Sequence, residues 1–203
     1  MKLYFKPGAC SLASHIALTE IGATFELDQV DTAAGRTQSG DAFSRVNPNG
    51  YVPALELDDG VVLTEGAAVL QYIASLAPES ALAPNEALPR ARLQQYLNYT
   101  ASELHKAFSP FFSGGELSAE SREAATAGVA QRFDYLEGLF SDGRKHLLGD
   151  VFTVADAYLF VVSSWAVPTG VGLERWPHLR AFVERVRQRP HVRTAMEREG
   201  LLS

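Results

Sequence analysis

Hydrophobic and polar positions alternate in the first third of the chain in a way that predicts a mixed α/β fold. The predicted strands are residues 3–5, 25–30, 52–57 and 61–63. Between the last two strands, Asp58-Asp59-Gly60 signals a hairpin turn. Helical spacing of apolar residues predicts helices from about Cys10 to Ile21 and from Thr64 to Ala77. This order of elements indicates a small sheet with helices on its faces.

The rest of the chain shows only helical patterns, which follow a connection rich in proline and alanine. The predicted helices span about residues 90–112, 119–140, 153–167, 176–188 and 191–199. We therefore predict an α/β domain over residues 1–78, a linker over 79–88 and an all-helical domain over 89–203.

Composition and charge argue against several classes of protein. The 203 residues are 46% hydrophobic and 21% charged, as in folded globular chains, and no segment is apolar enough to span a membrane. A net charge of −6 without a lysine-rich run argues against nucleic acid as a partner. The single cysteine excludes an internal disulfide, and no metal-ligand spacing appears. The lack of an apolar signal segment predicts a cytoplasmic protein.

Seven arginines are concentrated between Arg175 and Arg198. Such a cluster either binds an anion or a partner, or lies on a solvated helical face. The solvated face is favoured, because charge runs usually cover such a face.

Cys10 is the first candidate for chemistry. It follows a Pro-Gly turn and opens a helix, where free backbone N–H groups and the helix dipole favour an anion. This position predicts a lowered thiol pKa and a reactive thiolate, with Ser11 adding a hydroxyl. The alternative is an inert cysteine packed as a small hydrophobe. Because no second cysteine exists, disulfide chemistry requires a thiol from another molecule.

Two further segments could bind a peptide-like ligand. Val52-Pro53 begins a strand after a turn, which suits a cis bond and a Val52 backbone free to pair with an extended peptide. Ordinary loop geometry is the alternative there. Thr64-Glu65-Gly66 opens a helix, where a Thr64 cap and exposed N–H groups would bind a carboxylate and Glu65 an ammonium. Taken alone, this second segment is more simply an ordinary helix start.

The helix predicted over residues 90–112 carries two distinct stripes. On an ideal helix Asn98, Ser102 and His105 lie within about 60° of one another. The polar stripe consists of these residues with Lys106, and the apolar stripe of Leu93, Leu97, Leu104 and Phe108. A histidine beside a lysine on a polar stripe is a weak sign of function, with an inert surface pair as the alternative.

Thr153 and Asp156 have the spacing of a capping box, with threonine at the cap and an acid three residues later. We therefore predict that Asp156 fixes the start of an apolar helix and is not a catalytic acid. No phosphate loop or Ser-His-Asp signature occurs elsewhere.

Six motifs, each weak alone, together resemble the beta class of bacterial cytosolic glutathione transferases over essentially the whole chain. They are YFKPGACSLA (4–13), VNP (46–48), VPAL (52–55), LTEG (63–66), ELHK (103–106) and FTVADAY (152–158). The resemblance implies a thioredoxin-like N-terminal domain, an all-α helical-bundle C-terminal domain and a homodimer with its active sites near the interface. It further implies an enzyme that conjugates glutathione, its co-substrate, to small hydrophobic electrophiles.

The resemblance also assigns roles in the N-terminal domain. Cys10 matches the signature cysteine of the class, which lies beside the sulfur of glutathione and can form a mixed disulfide with it. Val52, ahead of cis Pro53, would pair its backbone with the cysteinyl unit of glutathione. Glu65 and the N–H of Gly66 would hold the γ-glutamyl ammonium and carboxylate.

In the helical domain, His105 and Lys106 match a pair beside the thiol and the acceptor pocket, and with Cys10 and Ser11 they are the predicted catalytic residues. The residues matching those that reach glutathione from the partner subunit are Asn98, Ser102 and Glu103. The expected lining of the apolar acceptor pocket, or alternatively core, is Phe108, Phe111, Phe112 and Trp165. Thr153 and Asp156 match the family's structural helix cap.

Two positions depart from the family pattern. This chain has Gly35 where some relatives carry a lysine that contacts the glycine carboxylate of glutathione, and Arg36 is the candidate replacement. Gly66 stands where many relatives have serine, which leaves only backbone donors for the γ-glutamyl carboxylate. Both changes would weaken glutathione binding without removing the reactive centre.

Two functions other than glutathione transfer stay open at this point. One is a glutathione-dependent thiol-disulfide oxidoreductase that uses Cys10 as a single-thiol nucleophile. The other is a carrier that binds hydrophobic ligands without turnover. The combined presence of Cys10, Glu65, His105 and Lys106 favours the transferase.

Overall fold

The computed structural model describes residues 1–202, which form two compact units. The first unit comprises Met1–Ala83 together with the chain from Gln188 onward, and the second comprises Pro84–Arg187. The boundary after Ala83 falls inside the predicted linker. The structure differs from the predicted domains at the last helix, which groups with the α/β unit.

The first unit is built on a mixed sheet with the strand order β3-β2-β1-β4-β5. The strands are β1 (Lys2–Phe5), β2 (Glu26–Asp31), β3 (Arg36–Thr37), β4 (Ala54–Glu56) and β5 (Val62–Leu63). β1 runs parallel to β2 and antiparallel to β4, so that Leu3 lies opposite Leu27 and Leu55. The four predicted strands are confirmed. β3 was not predicted, because two residues are too few to show alternation.

The central strand β1 is buried on both faces of the sheet. Leu3, Tyr4 and Phe5 are all buried, so β1 is a continuous apolar run, as expected for a covered strand. On one face Tyr4 packs with Val30, Phe43 and Ala54. The helices α1 (Ser11–Glu20) and α2 (Gly66–Leu76) pack against each other, and both predicted helices are confirmed.

The last helix, α9 (Pro190–Arg198), packs against α1 and is linked to it by polar contacts. The buried carboxylate of Glu199 accepts hydrogen bonds from His15 Nδ1 at 2.9 Å and from the Gly8 N–H at 3.0 Å. Arg189 donates two hydrogen bonds to Glu20, at 2.9 and 3.1 Å. These polar contacts, together with the buried apolar face formed by Val192, Ala195 and Met196, explain why α9 belongs to the first unit.

The second unit consists of helices. They are α3 (Ala87–Tyr99), α4 (His105–Phe108), α5 (Ala119–Phe140), α6 (Val154–Ser164), α7 (Ala166–Thr169) and α8 (Pro177–Arg187). All residues of α6 up to Ser163 are buried, and α3 and α8 pack against it. The helices predicted over residues 119–140, 176–188 and 191–199 are confirmed as α5, α8 and α9, and the one over 153–167 covers α6 and the start of α7. The helix predicted over 90–112 is interrupted. No helix within residues 1–202 combines the length and apolar composition that a membrane crossing requires.

The start of α6 is fixed by the predicted capping box. Asp156 Oδ2 accepts hydrogen bonds from the N–H and the hydroxyl of Thr153, at 2.9 and 2.8 Å, and Oδ1 accepts from the Leu147 N–H at 2.7 Å. Burial raises the pKa of the Asp156 carboxyl to about 6, although these donors favour the ionised form. The structural role predicted for Thr153 and Asp156 is confirmed.

The seven arginines between Arg175 and Arg198 all have partners within their own unit. The partners are Trp176 for Arg175, Glu184 for Arg180, the Lys145 carbonyl for Arg185, Phe160 for Arg187, Glu20 for Arg189, Glu197 for Arg193 and Phe25 for Arg198. These contacts agree with the favoured interpretation of the segment as a helical surface.

Candidate functional site

The loop before α1 brings the thiol of Cys10 to the backbone of Val52. Cys10 occupies the cap position of α1, and its Sγ–H donates to the Val52 carbonyl at 3.2 Å. The Val52–Pro53 peptide bond is cis, as predicted. The buried hydroxyl of Ser11 closes the loop, because it accepts from the Lys6 N–H at 3.1 Å and donates to the Lys6 carbonyl at 3.3 Å.

Burial decides the ionisation of Cys10. Loss of solvent raises the pKa of its thiol to about 11, and the negative charge of Glu65 adds to the effect. The N–H groups of Cys10 and Ser11 act in the opposite direction but are outweighed. The predicted lowering of the thiol pKa is therefore wrong. At neutral pH Cys10 is a thiol, which is the unreactive form.

Alkylation of Cys10 by iodoacetamide is expected to accelerate about tenfold per pH unit above pH 7, because only the thiolate reacts. The rate should level off only near pH 11, where the raised pKa lies. Mass spectrometry of the intact protein measures this rate without ambiguity, since the chain has one cysteine. The urea-unfolded chain is the control, and its alkylation rate should level off at about pH 8.5. If the alkylation rate of the folded protein levelled off at the same pH as that of the unfolded chain, burial would not raise the pKa of Cys10.

The start of α2 differs from its prediction. The cap residue is Glu65, and no side chain caps the helix, so the predicted Thr64 cap is wrong. Glu65 has a φ of 65°, a conformation that costs about 1–3 kcal/mol in a residue other than glycine and clusters at ligand sites. The Gly66 N–H lies in the first helical turn, where no intrahelical acceptor is available. The exposed Glu65 carboxylate and this N–H are thus both open to a ligand.

The segment after β2 carries Gly35, one of the two positions that depart from the family pattern, and Arg36, the candidate replacement for the missing lysine. Gly35 has a φ of 65°, which disfavours a side chain such as the lysine of some relatives. Arg36 is exposed, and its guanidinium donates to the Gly40 carbonyl at 3.1 Å. Lys6 donates to the Thr32 hydroxyl at 3.1 Å, so this part of the first unit holds two cations.

In the second unit, the helix predicted over residues 90–112 is interrupted. A π-helical turn, Thr100–Leu104, separates α3 from α4, and a 3₁₀ turn, Ser109–Phe112, follows α4. The predicted apolar stripe is confirmed, because Leu93, Leu97, Leu104 and Phe108 are buried. The prediction of a polar, solvent-facing stripe is wrong for His105. The π turn changes the rotation between residues, so His105 is half-buried while Asn98, Ser102 and Lys106 are exposed.

His105 lies in an aromatic cluster that we call the His105 cluster, formed with Phe108, Phe112, Tyr158 and Trp165. Its Nδ1 is 2.9 Å from the Tyr158 hydroxyl, and its ring meets Trp165 edge to face at a centroid distance of 4.8 Å. Burial lowers the pKa of His105, so the imidazole is neutral at neutral pH.

The residues predicted to line the acceptor pocket differ in burial, and some belong to the core while others lie at the surface. Phe108 is fully buried against Phe133 and Trp165 and therefore belongs to the core. Phe111 is half-buried beside it. Phe112 is 54% exposed and lies 5.2 Å from the Trp165 ring, so it offers an aromatic surface to solvent.

Three of the predicted polar residues line one groove of the second unit, with a volume of about 650 Å³. These residues are Ser102, Glu103 and Lys106. Glu103 forms an ion pair with Arg132 at 3.0 Å, while the Ser102 hydroxyl donates to the Asn98 carbonyl at 2.9 Å. The groove therefore presents hydroxyl, ammonium and carboxylate groups together.

Comparisons with known proteins cover both units. Residues 1–75 match the family model "Glutathione S-transferase, N-terminal domain", and residues 99–190 match "Glutathione S-transferase, C-terminal domain". Glutathione S-transferase GstA of Escherichia coli O157:H7 is 44% identical over 99% of this chain and 100% of its own.

Two solved structures are similar over 100% of both chains. The bacterial beta-class glutathione S-transferase of Sphingomonas chungbukensis is 46% identical, with a TM-score of 0.95. A sphingomonad glutathione S-transferase complexed with glutathione is 45% identical, with a TM-score of 0.94. These matches confirm the resemblance and the fold class inferred from the motifs. The chain belongs to the glutathione S-transferase family.

Proposed function

We propose that this glutathione transferase binds glutathione along the Val52–Pro53 segment and conjugates its thiol to small hydrophobic electrophiles. The observation that carries the proposal is the placement of Cys10 beside the Val52 carbonyl in a family member whose sphingomonad relative was solved with glutathione. The backbone of Val52 would pair with the cysteinyl unit. Glu65 and the N–H of Gly66 would take the γ-glutamyl ammonium and carboxylate.

Further contacts extend this assignment. Arg36 would bind the glycine carboxylate, since it is an exposed cation next to Gly35. Asn98, Ser102 and Glu103 would contact glutathione bound by a second copy of the chain, which makes a homodimer the expected assembly. Their exposure supports this role, because contact with a partner's ligand requires side chains that reach solvent. We further propose a detoxifying role in the cytoplasm, where glutathione is abundant.

The reaction follows from the ionisation of the groups. The sulfur of glutathione forms the new C–S bond, its proton passes to solvent, and the leaving group departs with its electron pair. Cys10, a thiol at neutral pH, would donate a weak hydrogen bond to the glutathione thiolate and is a poor nucleophile itself. Within the second unit, neutral His105 and cationic Lys106 would stabilise the negative charge that develops on the electrophile held there. This assignment favours conjugation over thiol-disulfide exchange.

The electrophile would be held by aromatic contacts. Exposed Phe112 and the edge of the His105 cluster offer the apolar surface that an aromatic acceptor packs against. Such a surface selects by size and flatness more than by functional group.

The proposal is tested by conjugation of glutathione to chlorodinitrobenzene in the wild type and in Cys10→Ala. The wild type should turn over, and the variant should keep its rate within about threefold, because a weak S–H donor contributes little. After exposure to glutathione disulfide, mass spectrometry should show a covalent adduct only in the wild type.

The matched control is Ser113→Ala, an exposed position whose hydroxyl bonds only to a local carbonyl, and it should behave as the wild type. Absence of turnover in the wild type would contradict the transferase and favour a ligand carrier. A loss of more than about a hundredfold in Cys10→Ala would make Cys10 the nucleophile. An adduct that persists in Cys10→Ala would contradict the assignment, since no other thiol exists.

A further inference from the structure

Tyr158 is a hydrogen-bond partner of His105, although sequence spacing alone placed it only in the motif at the start of α6. It belongs to α6 and is buried, with its hydroxyl 2.9 Å from Nδ1 of His105. The two rings meet edge to face at 86°, and Trp165 meets the same imidazole at 72°. The imidazole is therefore held by contacts with two aromatic rings, and its Nδ1 is occupied.

The direction of this hydrogen bond follows from the chemistry of the two groups. A phenol O–H, with a pKa of about 10, is a stronger acid than the N–H of a neutral imidazole. An imidazole nitrogen is also a better acceptor than a phenol oxygen. The Tyr158 hydroxyl therefore donates to Nδ1. Since burial keeps the ring neutral, its single N–H is on Nε2.

Nε2 of His105 is left for a ligand. Within residues 1–202 it makes no hydrogen bond, and the residue is only half-buried. A neutral N–H donor held at a fixed orientation is suited to stabilise negative charge that develops during a reaction.

We propose that Tyr158 is a positioning residue that holds His105 in the tautomer whose Nε2–H donates to the anionic atom of the bound substrates. This inference rests on the proposed function, in which that atom is the electron-rich end of the electrophile held against the His105 cluster. Without the Tyr158 hydroxyl, the ring would populate both tautomers. In the other tautomer Nε2 presents a lone pair, which repels an anion.

Replacing Tyr158 by phenylalanine removes one oxygen and keeps the buried ring. We expect kcat for chlorodinitrobenzene conjugation to fall about fivefold to tenfold, as expected for loss of one hydrogen bond that orients a donor. The KM for glutathione should change less than about twofold, because the hydroxyl is bonded to His105 and not to substrate. The matched control is Tyr135→Phe in the same unit, whose exposed ring packs on Tyr99, and it should equal the wild type.

Two further measurements separate positioning from a structural effect. Long-range ¹H–¹⁵N spectra report the tautomer, and should show His105 protonated on Nε2 in the wild type and a mixture of the Nδ1–H and Nε2–H tautomers in Tyr158→Phe. Glutamine at position 105 donates from its amide without a tautomer. In the His105→Gln background, Tyr158→Phe should therefore lower kcat less than about twofold.

Either of two results would overturn the inference. One is a Tyr158→Phe enzyme with wild-type kcat and an unchanged tautomer. The other is that Tyr158→Phe lowers kcat in the His105→Gln background by the same factor as in the wild type, which would show that Tyr158 acts independently of His105. A wild type without turnover would instead contradict the proposed function, while the spectra would still decide how Tyr158 orients His105.

Discussion

The Asp156→Ala variant is expected to lower the free energy of unfolding by about 3–5 kcal/mol, the largest effect we expect for one substitution. The substitution leaves three donors buried without an acceptor, namely the Leu147 N–H and the N–H and hydroxyl of Thr153. Each such donor costs about 1–3 kcal/mol. Urea unfolding at pH 7.5 should show a lower midpoint with an unchanged slope.

Asp150→Ala is the matched control for this measurement. Asp150 is exposed and lies in the segment just before α6, with Lys145 at 3.7 Å as its ion-pair partner. Its loss should change stability by less than about 0.5 kcal/mol. Equal effects of the two variants would show that the capping box does not stabilise α6.

Glu199→Ala is expected to lower the free energy of unfolding by about 2–4 kcal/mol, the second largest effect. The buried carboxylate accepts hydrogen bonds from His15 Nδ1 and from the Gly8 N–H, and the substitution removes both of these hydrogen bonds. Since Gly8 lies two residues before Cys10, the loop that holds the thiol would also lose a contact. Chemical unfolding followed by circular dichroism measures the change.

The control is Glu197→Ala on the same helix. Glu197 is exposed and forms only a 3.8 Å pair with Arg193, so its loss should cost less than about 0.5 kcal/mol. Glu199→Gln should fall between the two variants, because the amide keeps one acceptor oxygen. A Glu199→Ala variant as stable as Glu197→Ala would show that this link does not anchor α9.

Local patterns were sufficient wherever an element is defined by its own residues. The predicted helix 119–140 agrees with α5 at both ends, because it is long and begins at Ser118, whose hydroxyl accepts from the Ser121 N–H. The capping box of α6 and the hairpin between β4 and β5 depend on residues a few positions apart. Sequence spacing determines such features directly.

The candidate site was predicted less completely, because its properties depend on distant residues. Helix position alone suggested a low thiol pKa for Cys10, whereas the loss of solvent around the sulfur raises it. The π turn at Thr100–Leu104 carries no distinct composition, so an ideal helix misplaced His105. Tyr158 is 53 residues from His105 and was visible only as part of a helix motif.

By itself, the sequence determined most of the elements and the division into an α/β part and a helical part. Its motifs also identified the family, and the resemblance then supplied the thioredoxin-like fold and the candidate glutathione-binding residues. These properties follow from local periodicity, turn residues and short motifs, all of which can be identified in the sequence without knowledge of the fold. The tertiary structure alone decided the grouping of α9 with the sheet, through Glu199 and Arg189. It also decided the protonation of Cys10 and His105, because the free energy of a charge depends on the solvent and dipoles that the fold places around it.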